Sequence, residues 1–268
     1  MPGSPTLFHR LFSLEGRAAL ITGASGGIGR ALAVALAEAG AIVGLHGTNR
    51  SRLEETQQHV EEAGGQAVAL PAELSDVDAC RRLIAEAHAQ LGRLDILVNC
   101  AGMNRRQPIA EVQPETFDTI VAVNLRSAYF LSQAAHPIMR AQGGGKILNI
   151  GSMNSHVGLG HLSVYGITKS ALMQLTKTMA VEWARDNIQV NCLAPGFIMT
   201  PLTAGPLWGD PHKKAWLLAR IPARRPGTPE DLVGAALLLV SDASAYITGH
   251  TLNVDGGFLA GGTWDADA

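Results

Sequence analysis

The feature that most narrows the fold is a junction near the start of the chain. A short apolar run, 18–22, passes directly into Gly23-Ala-Ser-Gly-Gly-Ile-Gly29, and a stretch with an Ala/Leu face follows over 30–39. Strand, glycine turn and helix in that order put a helix N-terminus at the end of a strand, where small residues and backbone N–H groups let a pyrophosphate approach. The spacing of Gly23, Gly27 and Gly29 departs from Gly-x-Gly-x-x-Gly, and no Gly-Lys-Ser/Thr ending is present, which disfavours a P-loop triphosphatase. Standing alone, the turn also fits a purely structural role.

The alternation then repeats. Strand patterns at 41–45, 67–70, 94–98, 146–150, 189–193 and 252–254 are separated by helical patterns at 52–63, 77–90, 114–123, 129–139, 165–185 and 229–239, with Ser75-Asp76 as a cap for the second of these helices. Each crossover helix must bury its apolar stripe on the strands, so the pattern predicts an open parallel sheet covered by helices on both faces, in one α/β domain. The least regular stretch, 198–226, carries Pro201, Pro206, Pro211, Pro222 and Pro226 beside Trp208 and Trp216. It reads as a partly helical flap over the ligand crevice or as an ordinary surface excursion. The expected organisation is an N-terminal extension over 1–13, the domain over 14–258, and a tail over 259–268 in which Trp264 packs.

Charge excludes several classes of partner. Lys and Arg total 21 against 23 Asp and Glu, so there is no basic excess to draw the chain to nucleic acid or an anionic membrane. No uncharged apolar stretch reaches the length of a membrane span, and the first residues lack the pattern of a secretory leader. Cys80, Cys100 and Cys192 are odd in number and far apart, which argues against a disulfide framework and for a cytoplasmic protein. His156 and His161 share a segment but no Cys, Asp or Glu joins them at ligand spacing, so no metal site is expected.

Asn99 and Gly102 follow the fourth strand and Ser152 follows the fifth, where strand ends of a parallel sheet face the ligand crevice. Tyr165 and Lys169 are four apart and share one helix face. An ammonium beside a phenol favours the phenolate and makes a tyrosine serviceable as acid or base near neutral pH, while a serine hydroxyl holds the reacting oxygen. In isolation the pair reads as two unrelated surface residues; beside the glycine turn it reads as chemistry.

These motifs, in order, resemble the classical short-chain dehydrogenases/reductases over about 14–258, which implies a Rossmann-type single domain. Thr22 to Gly29 matches the family's cofactor turn, and Asn99-Cys-Ala-Gly102 its Asn-Asn-Ala-Gly segment with Cys100 in place of the second Asn. Asn124, Ser152, Tyr165 and Lys169 match its catalytic tetrad, and Pro195-Gly-Phe-Ile-Met-Thr200 the segment around the nicotinamide. The resemblance implies reversible hydride transfer between a nicotinamide and an alcohol or carbonyl carbon. Tyr165 moves the proton, Lys169 holds the nicotinamide ribose and assists Tyr165, Ser152 orients the substrate oxygen and Asn124 holds a water of the proton relay.

By the same resemblance the cofactor contacts are Gly23, Ser25, Gly27, Ile28 and Gly29 in the turn; Gly47, Thr48, Asn49 and Arg50 after the second strand; and Glu73 and Leu74 after the third. Asn99, Ala101 and Gly102, with Tyr165 and Lys169, and Pro195, Gly196, Ile198 and Thr200, complete the set. Glu73 stands where the family usually has an adenine-contacting Asp. NAD-selective relatives carry an acid where this chain has Gly47. Its absence, with Arg50 or Arg52 nearby, leans the cofactor toward NADP over NAD, although both arginines also read as solvated helix residues.

For the substrate, Asn99 to Arg106 and Gly151-Ser-Met-Asn-Ser155 look like sugar-acid dehydrogenases acting on gluconate or deoxygluconate. Arg105, Arg106, Ser152, Asn154 and Tyr165 are the expected substrate contacts, the arginines pairing with a carboxylate or facing solvent. The stretch 41–48 instead resembles some 3-oxoacyl-carrier-protein reductases, and a third alternative is a dinucleotide-binding structural or regulatory protein without turnover. A homotetramer is implied, with helices around Asn124 and Tyr165 between subunits.

Overall fold

The computed structural model describes residues 5–262. After a short helix α1 (Leu7–Phe12) come β1 (Ala18–Thr22), α2 (Gly27–Glu38), β2 (Ile42–Gly47), α3 (Arg50–Glu62), β3 (Gln66–Pro71), α4 (Val77–Leu91) and β4 (Ile96–Asn99). The second half runs α5 (Pro114–Val121), α6 (Ser127–Ala141), β5 (Gly145–Ile150), α7 (Ser163–Trp183), β6 (Ile188–Pro195), α8 (Pro201–Thr203), α9 (Pro211–Arg220), α10 (Val233–Val240) and β7 (Thr251–Val254). All seven strands are parallel, in the order β3-β2-β1-β4-β5-β6-β7. Every residue of β1 and of β6 is buried, as expected of strands covered on both faces.

Two apolar layers sandwich the sheet. On one face Leu32 and Leu36 of α2 pack with Leu53 and Val60 of α3 and Leu239 of α10. On the other, Leu83 and Ile84 of α4 meet Leu131 and Met139 of α6 and Met179 of α7. This is the covered parallel sheet that the alternation predicts and the Rossmann-type domain that the resemblance implies. The strand order reverses between β1, which pairs with β2, and its other neighbour β4. That switch point opens a crevice at the carboxyl ends of the two strands.

Element boundaries shift for local reasons. Helix α2 begins at Gly27 rather than at residue 30, because the end of the glycine turn is already its first turn. The helical stretch after Pro114 is interrupted by a π-helical turn, Ala122–Arg126, which carries Asn124. The expected helix at 229–239 is a 3-10 turn, Pro229–Leu232, opened by a Thr228/Asp231 capping box and continued by α10. Within the supposed extension, α1 is held by Thr6, whose side chain accepts from His9 N–H. The stretch 198–226 contains α8, a π-helical turn (Ala204–Trp208) and α9, with its own small core of Leu207, Trp208, Leu217 and Ile221. Trp264 lies outside the described residues.

Candidate active site

The crevice at the switch point is a cavity of about 880 Å³, in the size range of ligand sites. Its floor is the glycine turn. Gly23 and Gly27 adopt left-handed φ of 71° and 52°, and a Cβ on Gly23 would lie 2.9 Å from Ala101 Cα, while one on Gly29 would overlap the Gly23 carbonyl oxygen. The cap of α2 is Gly26, which offers no side-chain acceptor to the first-turn N–H groups. Those donors and the helix dipole face the cavity and suit an anionic group. Backbone close enough to forbid Cβ atoms, an uncapped helix N-terminus and a cavity of this size together fit a dinucleotide.

The turn is tied to its surroundings by side chains from distant strands. Thr22, fully buried, donates its hydroxyl to Val98 O at 3.2 Å and accepts from Cys100 N and Ala101 N at 3.0 Å each, stitching the ends of β1 and β4 together. Arg30 lines the cavity, giving Nε to Thr56 Oγ1 at 3.0 Å and a guanidinium nitrogen to Glu55 at 2.9 Å. Arg52 and Glu55 also line it.

Opposite the turn, α7 presents Tyr165 and Lys169 into the same cavity, with Ser152 just beyond the end of β5. Lys169 is buried; its ammonium donates to Ile150 O at 2.6 Å and lies 5.7 Å from the Tyr165 ring centre. The Ser152 Oγ accepts from Asn154 N at 3.1 Å, which leaves its own proton free to donate. Asn124 accepts from Met103 N at 2.8 Å and donates to Met103 O at 2.9 Å and Thr168 Oγ1 at 3.2 Å, clamping the loop after β4 to α7. Gly102 is seated between Asn124 and Lys169. A serine hydroxyl with its proton free, a phenol, a buried cation and a helix N-terminus in one cavity form a constellation able to polarise an alcohol or carbonyl and move its proton.

The expected contacts divide into two groups. Gly23, Ser25, Gly27, Ile28, Gly29, Ala101, Gly102, Ser152, Tyr165, Lys169, Pro195, Gly196, Ile198 and Thr200 line the cavity. The others stand behind or beside it. Asn99 gives its amide nitrogen to Ser132 of α6 and Asn149 of β5, behind the cavity. Asn49 caps α3 through Arg52 N–H, and Arg50 pairs with Glu54 on the exposed face of that helix. Gly47 packs under the turn, where a Cβ would press on Ser25 and Leu53 at 3.2 Å, and Thr48 is exposed beyond it. Glu73 is exposed and Leu74 is buried away from the cavity lining. Asn154 gives its amide to Val157 O and underpins Gly166 of α7. Arg105 donates to Thr116 Oγ1 at 3.2 Å and Arg106 is exposed; both follow Asn104, which lines the cavity.

Arg30, Glu55, Cys100, Met103, Asn104 and the segment Pro201 to Thr203 also line the cavity and were not among the expected contacts. Arg30 directly follows the glycine turn, a position that makes it findable; the others depend on tertiary folding. Burial pushes the Cys100 thiol up to about 11, so it stays protonated near neutral pH. Among the described residues no helix is long and apolar enough to cross a membrane, and no group of three His, Cys, Asp or Glu is placed to hold a metal.

Comparison with known proteins agrees with this geometry. A family model described as enoyl-(acyl carrier protein) reductase matches residues 23–259. The chain is 43% identical to 2-dehydro-3-deoxy-D-gluconate 5-dehydrogenase of Escherichia coli (strain K12), over 93% of this chain and 98% of that protein. It is 41% identical to gluconate 5-dehydrogenase of Gluconobacter oxydans (strain 621H), over 92% and 96% of the two chains. The solved structure of a gluconate 5-dehydrogenase from Burkholderia cenocepacia J2315, in complex with NADP and tartrate, superposes with a TM-score of 0.90 at 39% identity, covering 94% of this chain and 98% of that one.

Proposed function

The chain belongs to the classical short-chain dehydrogenase/reductase family and is an NAD(P)-dependent oxidoreductase, and from that premise we propose that it interconverts a hydroxyl and a keto group on a small sugar acid of the gluconate type, with NADP as the preferred cofactor. The observation that carries the chemistry is the buried Lys169 ammonium beneath Tyr165, in the same cavity as Ser152 and the N-terminus of α2.

The glycine turn and the first turn of α2 would hold the pyrophosphate, with Pro195 to Thr200 and Lys169 about the nicotinamide ribose. A bound nicotinamide nucleotide supplies or accepts the hydride. Every other task falls to side chains. Ser152 donates its free proton to the reacting oxygen and so orients it. Tyr165 takes the alcohol proton in oxidation and returns it in reduction, while the Lys169 charge stabilises negative charge on the phenol oxygen. Asn124, braced by Met103 and Thr168, sets the position of α7 against the loop after β4; it stands behind the cavity lining, and its part in a proton relay rests on the family resemblance alone. NADP preference is supported by Gly47, which brings no carboxylate to repel a 2′-phosphate, and by Arg52, a cation at the cavity edge.

Recognition of the substrate carboxylate is assigned to the loop carrying Asn104, Arg105 and Arg106. The relatives named for gluconate derivatives support this reading. A cytoplasmic homotetramer is part of the same proposal: Phe117 of α5, Tyr129 of α6, and Ile167 and Val181 of α7 leave large apolar side chains exposed on neighbouring helices. Initial rates with NAD and NADP against gluconate, 2-deoxygluconate, neutral polyols and a 3-oxoacyl thioester test the reading. Preferred turnover of a sugar acid is expected. Faster reduction of the thioester would replace the proposal with an acyl-reductase function, and binding of NADP without turnover of any substrate would favour a regulatory role.

A further inference from the structure

His46 lies one residue before the end of β2 and is 2% exposed. The mechanism makes no use of it, yet a buried imidazole within an otherwise apolar strand must have both nitrogens satisfied. Its Nε2 is 3.1 Å from Ala72 O, beyond the end of β3. A carbonyl only accepts, so Nε2 carries the proton and Nδ1 keeps its lone pair. To that lone pair the N–H of Gly23 donates, at 3.4 Å. The carbonyl of the same histidine accepts from Ala24 N at 2.8 Å. The first two N–H groups of the glycine turn are therefore both held by one residue. Burial keeps the ring neutral by pushing its pKa down to about 4.

Gly23 has little freedom of its own. It is left-handed and pressed against Ala101, so its peptide plane sets the direction in which the turn enters α2. We infer that His46 is a positioning residue for the dinucleotide, its neutral ring locking the Gly23 peptide to the end of β3 so that the N-terminus of α2 stays aimed into the cavity. This inference rests on the proposed use of a dinucleotide cofactor. No other side chain among the described residues hydrogen-bonds the Gly23 N–H.

The test compares His46→Leu, His46→Asn and His46→Gln in the full-length protein, with NADP affinity measured by calorimetry and melting temperature recorded in parallel. Leucine leaves both Gly23 N–H and Ala72 O without a partner. Asparagine places a side-chain oxygen near the former Nδ1 and restores the acceptor for Gly23. Glutamine extends an amide nitrogen toward Ala72 but offers Gly23 nothing. For a positioning role, NADP affinity falls at least about tenfold in the leucine and glutamine variants and recovers to within about threefold of wild type with asparagine. In folded variants the KM for NADP rises more than the KM for the alcohol substrate.

Wild-type affinity in all three variants would overturn the inference. So would losses that follow melting temperature alone, with asparagine no better than glutamine. Wild-type protein that binds neither NADP nor NAD would instead refute the proposed function, a result distinguishable because it precedes any substitution.

Discussion

Thr22→Val removes one oxygen atom while nearly preserving shape, and the structure indicates what that oxygen is worth. Thr22 is 1% exposed, and its hydroxyl makes three contacts: a donation to Val98 O and acceptances from Cys100 N and Ala101 N. Cys100 N also reaches Val98 O at 3.1 Å, so it retains a partner. Ala101 N does not. The loss is one orphaned N–H, about 1–3 kcal/mol, and one hydroxyl hydrogen bond, about 1 kcal/mol. Together these give roughly 2–4 kcal/mol.

Thr22→Ser keeps all three bonds and loses a methyl group, at roughly 1 kcal/mol. Urea unfolding of the three proteins at one fixed protomer concentration measures the difference. The valine protein is expected to unfold well before the serine protein. Because Ala101 lines the cavity beside Gly23, NADP affinity should fall in the same order. A valine variant within about 0.5 kcal/mol of wild type, or a serine variant equally damaged, would refute the view that this hydroxyl joins β1 to β4.

Three further outcomes are expected. Tyr165→Phe removes the proposed proton carrier and should lower kcat by about 100-fold or more while NADP still binds, which stopped-flow turnover and calorimetry together check. Lys146, buried on β5 with a hydrogen bond to Ser244, is pushed down to about 8 chiefly by burial. The folded state therefore binds its proton less readily than the unfolded chain, and Lys146→Met should stabilise the protein at pH 7 by roughly 1–2 kcal/mol, a gain that shrinks as pH rises from 8 toward 10.5. His46 has the same sign at lower pH. Its neutral form is favoured in the fold, so stability should decline as pH falls from 6.5 to about 4, by up to about 3 kcal/mol, and thermal melts of His46→Asn should lack that component.

Local pattern in the chain was enough for the seven strands, for most of the helices that cover them, and for pairing Tyr165 with Lys169. Apolar runs bounded by turns mark strands, 3.6-residue periodicity marks helices, and a four-residue spacing on a helix guarantees that Tyr165 and Lys169 share a face. Glycines at 23 and 29 announce a backbone approach that side chains would block, and Gly27 a left-handed turn. These signals survive because each depends on neighbours within a few residues.

Tertiary structure decided the rest. Strand order is non-local: nothing between 18 and 99 states that β1 pairs with β4 as well as β2, and that pairing creates the crevice. It also decides which polar residues meet the cavity. Asn99 and Asn154 end in hydrogen bonds behind it, Arg50 turns to Glu54, and Arg30 enters the lining. Thr22 and His46 are single polar letters in apolar strands, and their meaning comes from partners up to 79 residues away. Periodicity reports which way a side chain leaves its own backbone; its partner is set by how the sheet is ordered and packed, where an unpaired buried polar group would cost more than folding can spare.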